Sequence, residues 1–213
     1  MKQTAVLFDL DGVLIDTEGQ YSDFWKGVGE TYYPERKDFA KEIKGKTLVQ
    51  IYQQYFLEQE DAQNAITKAL ADFEQKMSFA FIPGALHFVA SLRRHGFKVA
   101  VVTSSNQQKL KCLLNEHPDF YSLFDRVFTA EDAARSKPAP DCYLSAAASF
   151  GFEATDCYVF EDSLNGLQAG LDSGATVVGV ATTYEAERIA PLCHHVIHDF
   201  TNFSVAAMGN LKK

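Results

Sequence analysis

Short apolar runs recur along the chain at residues 4–8, 97–102, 157–160 and 176–180, with weaker ones near 126–128 and 195–197. Each is of strand length, and helical spacing of apolar residues fills the intervals beyond residue 80. Strands alternating with helices predict βαβ units and a parallel sheet. Pro83-Gly84 opens one helix, with Phe88, Val89 and Leu92 on its inner side. Pro138 is expected at the start of another, where its missing N–H costs nothing.

Residues 17 to about 80 break this rhythm and hold only amphipathic helical patterns. Tyr21, Phe24, Trp25 and Val28 follow helical spacing, as do Leu48, Ile51, Tyr52, Tyr55 and Phe56. Asp61 is placed to cap a third helix carrying Ile66, Leu70, Phe73 and Met77 on one stripe. The plain reading of these stripes is a small helical core, not a cofactor box. The pattern therefore predicts a core from residues 1–16 and 81–213 and an inserted helical module over 17–80. A module entering just after the first strand is expected above that strand's carboxyl end, as a lid.

The 213 residues suffice for one domain and a small insertion. With 46% hydrophobic and 23% charged residues the composition is globular, not disordered. A net charge of -8 argues against a phosphate-backbone binder, so no nucleic-acid partner is expected. No apolar run reaches membrane-spanning length, and the first strand begins too early to leave room for a signal peptide. Cys112, Cys142, Cys157 and Cys193 lack the paired spacing of a zinc site, so free thiols in a reducing cytoplasm are expected. A monomer is the default.

Four segments carry chemistry, each following an apolar run. The first is Asp9-Leu10-Asp11-Gly12 after Ala5-Val6-Leu7-Phe8. Asp-Gly is ordinary turn chemistry, but two carboxylates flanking one apolar residue at the strand's carboxyl edge are less ordinary. That edge is where open α/β sheets bind ligands, and there one acid can serve as nucleophile and the other as proton donor. The second is Thr103-Ser104-Ser105-Asn106, which offers hydroxyls and free backbone N–H groups to an anion or, more plainly, caps the helix beginning near Gln107. The third is Ser136-Lys137-Pro138, a lysine pinned between a loop and a proline, although a lone lysine is usually solvated. The fourth is Glu161-Asp162-Ser163-Leu164-Asn165-Gly166. Its adjacent acids suit a hard cation such as Mg²⁺, or Asp162 or Ser163 simply caps the following helix. Gly166, Gly170 and Gly174 fit close helix–sheet packing better than phosphate binding.

Charge links the four. Asp9, Glu161 and Asp162 at one edge would repel by about 4 kcal/mol per pair at 4 Å with moderate screening. A divalent cation removes that repulsion, and a phosphate added to it calls for the further positive charge of Lys137 and the hydroxyl of Thr103. That set is what phosphoryl transfer to a carboxylate requires.

Read together, Phe8-Asp9-Leu10-Asp11-Gly12-Val13-Leu14-Ile15-Asp16-Thr17, Val102-Thr103-Ser104-Ser105, Ser136-Lys137-Pro138 and Glu161-Asp162-Ser163-Leu164-Asn165-Gly166 resemble the haloacid dehalogenase superfamily. The likeness is to its branch of small phosphatases and β-phosphoglucomutase-like enzymes, and it covers nearly the whole chain. It implies an α/β fold, a Rossmann-like parallel-sheet core with an inserted α-helical cap, and hydrolysis of small phosphorylated metabolites such as sugar phosphates. By that resemblance Asp9 attacks phosphorus and Asp11 protonates the leaving oxygen, then deprotonates the hydrolytic water. Thr103 and Ser104 bind the phosphoryl group and Lys137 balances its charge. Mg²⁺ falls to Asp9, the Asp11 carbonyl and Asp162, with Glu161 a ligand or directly behind one. Glu18, Tyr21, Trp25, Lys46 and Thr47 are the cap residues expected to line the pocket. The dehalogenases lack the second aspartate, so Asp11 argues for phosphoryl chemistry.

β-Phosphoglucomutases resemble this chain in the first segment but carry histidine where it has Tyr21. They also carry an arginine where Gly45-Lys46-Thr47-Leu48 places Leu48. Leucine cannot grip a second phosphate, although Lys46 supplies a point charge. The resemblance thus favours a phosphatase over a mutase, and the intact acid pair favours either over a non-catalytic phosphate- or partner-binding module. Cys193, His194, His195, His198 and Asp199 form a second cluster, but in an extended strand His195 points away from His194 and His198. A polar final strand is expected there.

Overall fold

The computed structural model describes residues 4–211. Six strands, β1 (Ala5–Phe8), β2 (Lys98–Val102), β3 (Arg126–Phe128), β4 (Tyr158–Glu161), β5 (Thr176–Val180) and β6 (His195–Ile197), form one sheet in the order β3-β2-β1-β4-β5-β6. Every pairing is parallel. The strong runs are legible because a parallel strand covered on both faces is apolar throughout, and β1 and β5 are buried at every position. The chain moves from β1 to one side, through β2 and β3, and then to the other through β4, β5 and β6. Order reverses at β1, and the crevice beyond the strands' carboxyl ends at such a reversal is where these sheets bind ligands.

The described chain divides into two compact units, residues 17–78 and residues 1–16 with 79–213. The smaller unit holds α1 (Glu18–Tyr32), α2 (Phe39–Glu42), α3 (Leu48–Tyr55) and α4 (Glu60–Glu74). Trp25, Val28, Phe39, Ile43, Ile51, Phe56 and Ile66 make its core. The one-turn helix α2 is too short to leave a periodic signal, and sequence reasoning passed over it. Asp61 does not cap α4: the cap position is Gln59, and Asp61 lies inside the first turn, where its charge suits the helix dipole. A true cap forms at Thr47, whose hydroxyl accepts from Gln50 N–H while the Gln50 side chain accepts from Thr47 N–H.

The larger unit adds α5 (Ala85–Arg94), α6 (Gln107–Glu116), α7 (Asp141–Ser149), α8 (Leu164–Asp172), α9 (Ala186–Ile189) and α10 (Val205–Gly209). Pro138 does not start α7: it follows Lys137 through a cis peptide, and the helix begins three residues later at Asp141. Ala5, Leu7, Val159 and Val177 pack with Tyr143, Ala146, Leu167 and Ala169 of α7 and α8. Gly170 permits that approach, since a Cβ there would sit 2.9 Å from Val177 Cγ2. An aromatic cluster also involves β1 and β4. The Phe8 and Phe160 rings stack at 4.9 Å across the register pair, and Phe88 of α5 meets them at 6.2 and 5.5 Å. Phe200 stacks on Phe88 at 5.4 Å. Among the described residues no helix is long and apolar enough to cross a membrane.

Phe88 lies at the centre of this cluster and is fully buried. Phe88→Ala is expected to cost about 3–5 kcal/mol, read as a lower urea midpoint with an unchanged slope.

Candidate active site

β1 ends at Phe8, and Asp9 is anchored by its N–H to the Phe160 carbonyl at 3.0 Å. On the other side, Thr103 N–H binds the Phe128 carbonyl at 3.0 Å. Both side chains therefore leave the sheet at its carboxyl edge. Glu161 ends β4, and Asp162 follows it. Ser163 caps α8 by accepting from Gly166 N–H at 3.1 Å, which leaves the Asp162 carboxylate free of that task.

At the centre is the Lys137 ammonium, buried and arriving from the loop before α7. It donates to Asp9 Oδ1 at 2.7 Å, Glu161 Oε1 at 2.6 Å and the Val102 carbonyl at 3.0 Å. Burial alone would lower its pKa, but Asp9 and Glu161 hold it well above the usual lysine range. Glu161 has no solvent exposure, and both its oxygens are engaged. Oε1 accepts from Lys137 and, at 2.8 Å, from the Tyr143 hydroxyl. Oε2 accepts from Asp162 N–H, Ser163 N–H and the Ser163 hydroxyl at 3.1–3.2 Å. Gly166 exists to admit this carboxylate, since a Cβ there would fall 1.8 Å from Glu161 Oε1. Gly166, expected at a helix–sheet contact, instead makes room for an acid.

Asp9 is the titration centre. Burial pushes its carboxyl up to about 7; Lys137 pulls it down, and Glu161 and Asp11 add to the rise. Asp9, Glu161 and Asp162 each offer a carboxylate oxygen, and these lie within 4.8 Å of one another. Among the described residues no other His, Cys, Asp and Glu side chains converge this way. His194 instead accepts from Val177 N–H through Nδ1 at 3.0 Å, as a polar strand edge should. Asp162 lies over Gly12, which has φ +71°, and a Cβ on Gly12 would reach within 2.1 Å of Asp162 Oδ2. The Thr183 hydroxyl donates to the same oxygen, and the Thr182 hydroxyl donates to the Gly12 carbonyl.

Asp11 turns toward the segment after β2. Its Oδ2 accepts from the Ser105 hydroxyl at 2.8 Å and its Oδ1 from the Lys109 ammonium, which is 3% exposed. Thr103 Oγ1 accepts from Ser105 N–H at 3.0 Å, while Ser104 is exposed on the turn. Asn106, not the hydroxyl residues before it, caps α6 by accepting from Lys109 N–H at 2.9 Å. Lys109, Tyr143 and Thr183 were not among the sequence candidates, and Ser105 stood there only inside the segment Thr103-Ser104-Ser105-Asn106, with no role of its own.

The remaining sequence candidates belong to the helical unit. The Tyr21 hydroxyl donates to Glu74 Oε1 at 2.8 Å, with its ring on Phe73. Lys46 donates to Gln54 Oε1 at 2.7 Å and lies 5.3 Å from the Tyr55 ring. Trp25 is part of that unit's apolar core, Thr47 caps α3, and Glu18 pairs with Lys44 at 3.7 Å.

The geometry at the carboxyl edge is matched by kinship. A family model, haloacid dehalogenase-like hydrolase, matches residues 3–174. The chain belongs to that family. It is 30% identical over 189 residues to a probable pseudouridine-5'-phosphatase of Drosophila melanogaster, covering 84% of this chain and 82% of that protein. It is 28% identical over 214 residues to a bifunctional riboflavin kinase/FMN phosphatase of Arabidopsis thaliana, covering 97% of this chain. The chain spans 56% of that longer relative's length. A family IA haloacid dehalogenase hydrolase from Entamoeba histolytica shares the fold, with a TM-score of 0.83 at 24% identity over 97% of each chain. The Rossmann-like order of the six-stranded parallel sheet is thus the family's fold.

Tyr143 supplies one of the two donors on Glu161 Oε1. Tyr143→Phe is expected to lower stability by about 1.5–3 kcal/mol, because the buried carboxylate loses a charge-assisted bond, as urea denaturation will measure.

Proposed function

We propose that the protein is a Mg²⁺-dependent phosphatase acting on small phosphorylated metabolites, sugar phosphates foremost, through an aspartyl-phosphate on Asp9. The observation that carries this reading is the buried Asp9 carboxylate, bonded to Lys137 and within 4.8 Å of oxygens from Glu161 and Asp162.

The residues fit a divalent cation. Asp9, Glu161 and Asp162 bring carboxylate oxygens within 4.8 Å of one another, and Lys137, bonded to two of these acids, brings a single positive charge. An all-oxygen donor set suits a hard cation, and a carboxyl held near 7 by burial needs more positive charge to stay ionised. Asp9 and Asp162 are the ligands in this reading, with the Asp11 carbonyl. Glu161 stands behind them, since its oxygens are spent on five donors. When bound, Mg²⁺ offsets phosphate charge and draws electron density from phosphorus.

The protein's own groups account for the rest. Thr103 and Lys137 orient the phosphoryl group, and an Asp9 oxygen attacks phosphorus. The ester P–O bond breaks, its electron pair stays on the departing oxygen, and Asp11 gives that oxygen a proton. Asp11, now a carboxylate, takes a proton from water as the water attacks the acyl phosphate. Inorganic phosphate leaves and the Asp9 carboxylate is restored. Residues 17–78 act as the cap and carry substrate selection. A reducing cytoplasm is part of this reading, on the spacing of the four cysteines in the sequence.

A phosphatase fits better than a mutase. Leu48 starts α3 as an apolar residue packed on the helical core, and Lys46 is committed to Gln54 and Tyr55. The Tyr21 hydroxyl is taken by Glu74.

Phosphate release across several dozen phosphorylated metabolites, with Mg²⁺ and with EDTA, is expected to show hits only with the metal. Asp9→Asn is expected to lower kcat/KM on the best substrate by roughly a thousandfold or more. Unchanged turnover in that variant would leave only a binding module. Supplied with β-glucose 1-phosphate, the protein is expected to release phosphate faster than it forms glucose 6-phosphate; the reverse ratio makes it a mutase.

A further inference from the structure

Lys109 is an expensive residue for its position. It lies in the first turn of α6 beside the exposed Gln107 and Gln108, yet its own side chain is buried. Withdrawing an ammonium from water costs several kcal/mol unless a partner repays it, and a neighbouring aliphatic such as Leu110 is buried without that cost. The packing of α6 gives no reason for a cation here. Its partner does: the ammonium donates to Oδ1 of Asp11, ninety-eight residues away in sequence.

The other oxygen of Asp11 is held from the same segment. Ser105 donates its hydroxyl to Oδ2 at 2.8 Å and its N–H to Thr103 Oγ1 at 3.0 Å, while its carbonyl accepts from Ala130 N–H at 3.0 Å. Lys109 is fixed through its N–H on Asn106 Oδ1. With a donor on each oxygen, the carboxylate is held against rotation about its side-chain torsions.

We propose that Lys109, assisted by Ser105, is a positioning residue that sets the Asp11 carboxyl for proton exchange with the oxygen leaving phosphorus. The inference rests on the reading of Asp11 as proton donor above. Misplacement of a reacting group by 1 Å can cost about a hundredfold, so two anchors on one carboxylate have catalytic consequence. A different role, direct attraction of the substrate phosphate by Lys109, would affect all phosphate esters alike.

The test uses leaving groups that differ in their need for a proton. Phenolate, whose conjugate acid has a pKa of about 10, needs one, and p-nitrophenolate leaves readily without one. The ratio of kcat/KM for p-nitrophenyl phosphate to that for phenyl phosphate is measured for the full-length protein with Mg²⁺. It is compared with Lys109→Met, Lys109→Arg, Ser105→Ala and Asp11→Asn, each checked for folding by circular dichroism. Asp11→Asn sets the ceiling, since a lost general acid is worth roughly 10²–10⁴-fold on the demanding ester. Lys109→Met is expected to raise the ratio by about tenfold or more, Ser105→Ala by less, and Lys109→Arg to return it toward the original value. If Asp11→Asn raises the ratio and Lys109→Met does not, the positioning role is overturned while the reading of Asp11 survives. A ratio unmoved in Asp11→Asn overturns both. Should Lys109→Met fail to fold, Ser105→Ala decides by the same ratio: a rise supports the positioning role, and an unmoved ratio overturns it.

Discussion

A single buried ammonium bridging two carboxylates holds the carboxyl edge of this sheet together. Lys137 reaches Asp9 from β1, Glu161 from β4 and the last carbonyl of β2, so one side chain ties three adjacent strand ends. Without it, two buried acids would face each other with no cation between them, and burial together with the neighbouring acid would hold Asp9 further toward its neutral form. With it, both acids share one cation, and Glu161 is further held by the Tyr143 hydroxyl and by the donors of Asp162 and Ser163. Three carboxylates whose oxygens lie within 4.8 Å of one another remain gathered at that edge.

Much of this was legible in the sequence, for a reason particular to parallel sheets. A strand buried on both faces reads as an unbroken apolar run, so the first polar residue after Ala5–Phe8 or Tyr158–Phe160 marks the strand's end. Asp9, Thr103 and the Glu161-Asp162 pair each stood at such an end. The edge strands β3 and β6 gave weaker runs because they are shorter and only half buried.

Other features left no local mark. A lysine in the first turn of a helix looks solvated, and nothing near Lys109 announces a partner at Asp11. Tyr143 reads as one more core aromatic until its hydroxyl is found on Glu161. Asp61 and Pro138 failed for a different reason. Both residue types suit helix starts in general, but the actual start was set by neighbouring backbone, one residue before Asp61 and three after Pro138. Side-chain partners in the helical unit, such as Glu74 for Tyr21, depend on which helices meet and carry no sequence period.

The twin threonines after β5 lie beyond the stretch that carries the family likeness. The family match ends at residue 174, before β5 begins, and all four signature segments lie within it. Yet Thr182 grips the turn at Gly12, and Thr183 grips the Asp162 side chain. A shortened chain cut at that boundary would retain every diagnostic residue and still lose the two hydroxyl tethers that clamp its first and fourth segments. The structure that ties these segments together therefore reaches beyond the recognisable signature.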